Sequence, residues 1–71
     1  MTRNRVLIIG KQGALIERKK ANFTEYVSAW SYDEESGTWG QGHYFPAYPD
    51  TAKEQAKALE KALNHFKENY L

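Results

Sequence analysis

His43 and His65 are the only imidazoles in this 71-residue chain, and it has no cysteine. A closed zinc site takes four ligands, usually Cys and His, so two histidines without a thiolate do not suggest a metal centre. If Phe23 to Tyr48 folds as a hairpin, His43 falls opposite Ser28. A base beside a hydroxyl is the start of a nucleophilic site, but it needs a third group to orient the imidazole, and the sequence offers none at a suitable spacing. Gly10-Lys11-Gln12-Gly13 lacks the Lys-Ser/Thr continuation of a phosphate loop. The expectation is a packed or surface His43, no catalytic, metal or cofactor residue, and no enzyme.

The remaining chemistry is charge and aromatic surface. Residues 1–22 hold Arg3, Arg5, Lys11, Arg18, Lys19 and Lys20 against Glu17 alone, a net +5. Residues 23–50 hold five acidic residues and no Lys or Arg, a net −5. The whole chain is nearly balanced at +1, so any polyanion would be recognised by local charge. The six basic residues are candidate nucleic-acid contacts through phosphate. Eight of the ten aromatic residues lie between Phe23 and Tyr48. Of these Tyr26, Trp30, Tyr32, Trp39 and Phe45, with His43, form a candidate interaction surface, since aromatic platforms stack bases or anchor protein partners. The same aromatics also serve simply as core, because aromatic burial dominates small domains. Asp33-Glu34-Glu35 reads as a solvated turn tip or as a contact for a basic protein.

These residues need elements to position them. Arg5 to Ile9 is β-branched and apolar, a short strand. Gly10 to Gly13 is a turn, and Ala14 to Lys20 is a second strand, preferred over a helix because seven or eight uncapped residues make a poor one. Along Phe23 to Tyr32, large and small side chains alternate, with Tyr26, Trp30 and Tyr32 on one face and Val27 and Ala29 on the other. Asp33 to Gly37 is a turn signal. A four-residue loop would set Tyr32 opposite Trp39 and Trp30 opposite Gln41. Trp39, His43 and Phe45 then join the aromatic face, and Gly40, Gly42 and Tyr44 the small one. A change of one residue in the loop would exchange the faces of one strand. Pro46 and Pro49 end the hairpin. Thr51 with Glu54 has capping-box spacing, and Ala52, Ala56, Leu59, Leu63, Phe66 and Tyr70 step by three and four along one helical face. The predicted fold is α+β in ββββα order: an antiparallel sheet within residues 5–48 and one amphipathic helix over 51–70, as one domain spanning 1–71. Close packing of the Ala-rich helix on the glycine-bearing face would leave the aromatic face free.

Length and composition limit the alternatives. A chain this short buries roughly 60% of its unfolded surface, and its core supplies only about 3–5 kcal/mol. Without disulfides, association into a homodimer is one way to cover more apolar surface. Hydrophobic content of 41% argues against disorder. No apolar run approaches the ~20 residues of a membrane span, and Val6-Leu7-Ile8-Ile9 is too short for a signal peptide. A cytoplasmic protein without membrane partners is expected.

Tyr26-Val27-Ser28-Ala29-Trp30, Tyr32-Asp33-Glu34-Glu35-Ser36-Gly37, Tyr44-Phe45 and the helix opening Thr51-Ala52-Lys53-Glu54-Gln55-Ala56 together resemble the N-terminal arm-type DNA-binding domain of tyrosine recombinases. The resemblance covers roughly residues 14–66. It implies a three-stranded sheet on one C-terminal helix, with the sheet entering the major groove. Family members carry Lys and Arg on the groove-facing strands, whereas Phe23 to Tyr48 has neither. Recombinase activity is not expected. The reading from sequence is a non-enzymatic binding module for nucleic acid, of the kind found as accessory proteins of bacteria or mobile elements; the alternative is a protein-interaction or inhibitor domain, homodimeric, using the aromatic face and the acidic turn.

Overall fold

The computed structural model describes residues 3–71. Four strands, β1 (Arg3–Ile9), β2 (Gly13–Lys19), β3 (Thr24–Trp30) and β4 (Gln41–Ala47), are followed by α1 (Ala52–Asn69). The strands form one antiparallel sheet in the order β1-β2-β3-β4. This is the predicted α+β architecture.

The turns follow local chemistry. In the β1–β2 turn the Gly10 N–H donates to the Gly13 carbonyl at 2.8 Å. Gly13 passes so close to β3 that a Cβ there would collide with the Ala29 carbonyl, so the position requires glycine. At the hairpin tip Asp33 accepts from the Glu35 N–H (3.1 Å) and the Ser36 hydroxyl (2.9 Å). Gly37 takes φ +70°, and Asp33 bridges back to Thr38. The acidic turn thus organises itself, as Asx turns do. β1 carries a bulge between Val6 and Ile8.

The register of the long hairpin is the one a four-residue loop dictates: Trp30 pairs with Gln41, Ser28 with His43 and Tyr26 with Phe45. The faces, however, differ from expectation beyond Trp30. Ser31 adopts φ +59°, a left-handed conformation that breaks strand alternation. Tyr32 and Trp39 consequently cross over and pack against Ala14, Ile16, Val27 and Ala29. Trp39 donates its indole N–H to the Tyr44 hydroxyl at 2.9 Å. Gly42 lies beneath it: a Cβ there would stand 2.9 Å from Val27 Cγ1 and 3.0 Å from Trp39 Nε1. A tryptophan needs a flat, small-residue bed, and Ala, Val and Gly supply it.

α1 takes the other face, the one of the two open alternatives in which Tyr26 and Phe45 serve as core. Ala58, Ala62 and Phe66 are buried against Leu15, Tyr26 and Ala47, with Leu7, Phe45, Leu59, Leu63 and Tyr70 half-buried around them. The fit is complementary in size: small helix residues meet large sheet residues, and the helix axis comes close. Ala52 and Ala56, expected in the buried stripe, are exposed. Thr51 caps the helix, its hydroxyl accepting from the Glu54 N–H at 3.3 Å.

Candidate functional site

The strand register gathers the basic residues at one end of the sheet. Arg3 lies beside Lys19, Lys19 beside Thr24 and Thr24 beside Ala47. One step inward, Asn4, Arg18, Glu25 and Pro46 form the next row. Arg3, Arg5 and Lys19 project on the α1 side, where with Asn4 and Glu17 they line a cleft of about 370 Å³. The β2–β3 turn, closed by the Lys20 N–H on the Phe23 carbonyl at 2.9 Å, adds Lys20.

Ion pairing then sorts these cations. Glu17 meets Arg5 at 3.4 Å and accepts from the Tyr26 hydroxyl at 3.1 Å. That bond and burial raise the Tyr26 pKa to about 12, burial being the larger cause. Glu25, almost fully buried, meets both Arg18 (3.0 Å) and Lys20 (3.3 Å). Arg18 also lies 5.6 Å from the centre of the Trp39 ring. Arg18 is therefore clamped between a carboxylate and an indole, with about a quarter of its side chain exposed. Lys11 lies apart from the other five, in the β1–β2 turn at the opposite end of the sheet. Among the described residues, Arg3 and Lys19 have no carboxylate within 4.0 Å. Asp50 stands near enough to Lys19 to feel its charge; its pKa is lowered by hydrogen bonds from Gln55 and Thr24 foremost, then by Lys19.

Two aromatic residues complete this end. Phe23 and Tyr48 meet edge to face, with ring centroids 6.4 Å apart. Lys20 Nζ lies 5.0 Å from the Phe23 ring centre, and Tyr48 is 73% exposed. With Ala21, Asn22 and Pro46 they line a shallow groove. Neither aromatic was among the candidate surface residues. The register would have found them, since the pairing of Thr24 with Ala47 sets Phe23 beside Tyr48.

The six residues expected to share an aromatic surface are dispersed. Tyr26 is buried and Phe45 half-buried under α1, and Tyr32 and Trp39 are half-buried on the opposite face. His43 and Trp30 are exposed, Trp30 at 45%. His43 stacks on His65 of α1, ring centroids 4.0 Å apart, and His65 Nδ1 lies 2.8 Å from Ser28 Oγ. Ser28 thus pairs with the helix histidine, not with its strand neighbour. Its side chain is fully buried and cannot reach a substrate in solution. Burial, and next the adjacent His43, lower the His65 pKa. No group of three His, Cys, Asp or Glu able to hold a metal occurs among the described residues, and no described helix is long and apolar enough to cross a membrane.

No protein-family model matches the chain, and no match is found among curated proteins or solved structures.

Proposed function

We propose that the chain is a small binding module whose basic end holds single-stranded nucleic acid. The carrying observation is that one end of the sheet holds the Arg3–Lys19 pair together with Lys20 over the Phe23 ring and Tyr48 packed on Phe23. Phosphates would sit on the cations and a base would stack on Tyr48. Five cations, Arg3, Arg5, Arg18, Lys19 and Lys20, face two carboxylates, Glu17 and Glu25, at this end. The surplus is +3, or +2 counting Asp50. That suits a modest, salt-sensitive affinity. A sheet-in-groove mode of the arm-domain kind is less well supported, because the face away from α1 carries Trp39, Tyr32 and the half-buried Arg18 and has no free cation row.

The test is fluorescence anisotropy with a labelled oligo-dT at about 50 and 200 mM salt. Neutralising about three phosphates of a single strand predicts a loss of roughly 15- to 20-fold across that range. Tyr48→Ala should weaken binding by about 1–3 kcal/mol, as loss of a stacking aromatic does. Lys19→Glu should nearly abolish it. Absence of binding at the lower salt would refute the proposal.

A further inference from the structure

We infer that the uncovered trough between β1 and α1 is the docking site for an acidic amphipathic helix of a partner protein. Four strands span about 19 Å and one helix covers about 10 Å, so α1 leaves part of its own face open. Its backbone packs along β3 and β4, reaches β2 and stays clear of β1, although Phe66 and the Tyr70 carbonyl close over Gly10 just beyond the end of β1. Its flank toward β4 is polar: Glu54, Lys57 and Lys61 border Phe45 and Pro46 there. The opposite flank, toward β1, carries Leu59 and Leu63, both half-buried, while the Tyr70 ring turns back to His65 at 5.7 Å. At 100° per residue these two leucines are centred about 80° round the helix from the buried line Ala58, Ala62 and Phe66. Leu59 and Leu63 therefore overhang the trough instead of lying on the deepest line of the helix. Across from them stand Leu7, half-buried, and Ile8, 36% exposed opposite Leu15.

Charge selects the occupant. The end of the trough is rimmed by Arg3, Arg5 and Lys19, offset by Glu17 and, beside Lys19, by Asp50. A second copy fits poorly. No acidic residue lies between Arg3 and Gly13, so pairing β1 with β1 would bring Arg3, Arg5 and Lys11 of both copies together. The outward side of α1, with Lys53, Glu60, Asn64 and Lys67, is too polar to fill an apolar trough. A helix with a leucine stripe and flanking carboxylates satisfies both the apolar wall and the basic rim, the helix-in-groove mode of recognition. Such a partner would displace a nucleic acid from Arg3 and Lys19, although the docking inference stands whether or not nucleic acid binds.

The experiment uses a labelled synthetic helical peptide of 18 residues, the length of α1, with Leu at heptad spacing and Glu on the flanks. Binding is expected with the Glu peptide, at least tenfold weaker with Lys in place of Glu, and at least tenfold weaker to Ile8→Ser. That variant should retain its circular dichroism and its oligo-dT affinity, which separates failure of docking from failure of the nucleic-acid reading. Leu63→Ser is the second variant and should act in the same direction. Equal binding of the Glu and Lys peptides, or an unchanged affinity in Ile8→Ser, would overturn the inference. So would no binding at about 1 mM peptide, or a dimer by light scattering that Ile8→Ser dissolves, since a second copy would then own the trough.

Discussion

At Gly42 a single hydrogen in place of a methyl group decides how one face of the sheet is closed. Trp39 rests there, held by Tyr44 and by the Arg18 guanidinium. Gly42→Ala should cost about 1–3 kcal/mol, the usual penalty of overpacking, read as a shift of the urea midpoint with the slope unchanged. The Ser28–His65–His43 stack sets a second residue-scale expectation. Burial and His43 hold the His65 pKa below its ordinary 6.5. The unfolded chain then binds more protons than the native one between the lowered value and 6.5, so stability falls as pH drops through that window. Below the folded pKa the dependence flattens. An NMR titration should show a His65 midpoint below the ordinary 6.5, and His43→Asn should move it back toward that value. A His65 midpoint at or above 6.5 in the native chain would contradict the packing described. Neither the stack nor the bed under Trp39 is legible from residue types. Ser28 opposite His43 was visible from strand spacing, but the imidazole that bonds it arrives from a helix 37 positions away.

Among the elements, the helix was the most legible and its rotation the least. Thr51, Glu54 and the three-four spacing announce where α1 begins and that it is amphipathic. Thr51→Ala should cost about 1 kcal/mol of stability by thermal or urea unfolding, the typical value of a lost N-cap; a change within a few tenths would mean the cap bond to Glu54 N–H contributes nothing. Which line of the helix is buried depends on what it meets. Leu59 and Leu63 form an apolar stripe of their own, yet Ala58, Ala62 and Phe66 lie deepest because Tyr26 and Phe45 already fill the space above the sheet. The strands behaved similarly. Register follows from loop length and was readable, down to Trp30 opposite Gln41. The faces of Tyr32 and Trp39 were not, because one positive φ at Ser31 inverts them, and nothing about a serine signals it.

For the molecule as a whole, the two faces of the sheet are covered by different means, the α1 face only in part. α1 covers one, and the segment bearing Tyr32 and Trp39 folds over the other. Small domains have little core to spare, and here a loop does the work of a second layer. The two tryptophans report on this arrangement. Trp30 is 45% exposed and Trp39 is half-buried with its indole N–H bonded. Iodide quenching should resolve one accessible and one shielded population, and Trp30→Phe should remove the accessible one. A single, fully accessible population in the wild-type chain would mean the Trp39 face is open in solution. The charge separation seen in the sequence also survives folding in part: Asp33-Glu34-Glu35 stands at the end of β3 far from Arg3 and Lys19. Lys11 is carried to the acidic end, and Arg18 is drawn inward.

Element order, strand register, the helix start and the sign of charge along the chain were all readable in the residues, because each depends on neighbours within a few positions or on counting across one turn. The assignment of faces, the pairing of Phe23 with Tyr48, the internal use of Arg18 and the trough beside β1 came from assembly. Each depends on side-chain volume and on which surface another element has already taken, quantities set between residues remote in sequence.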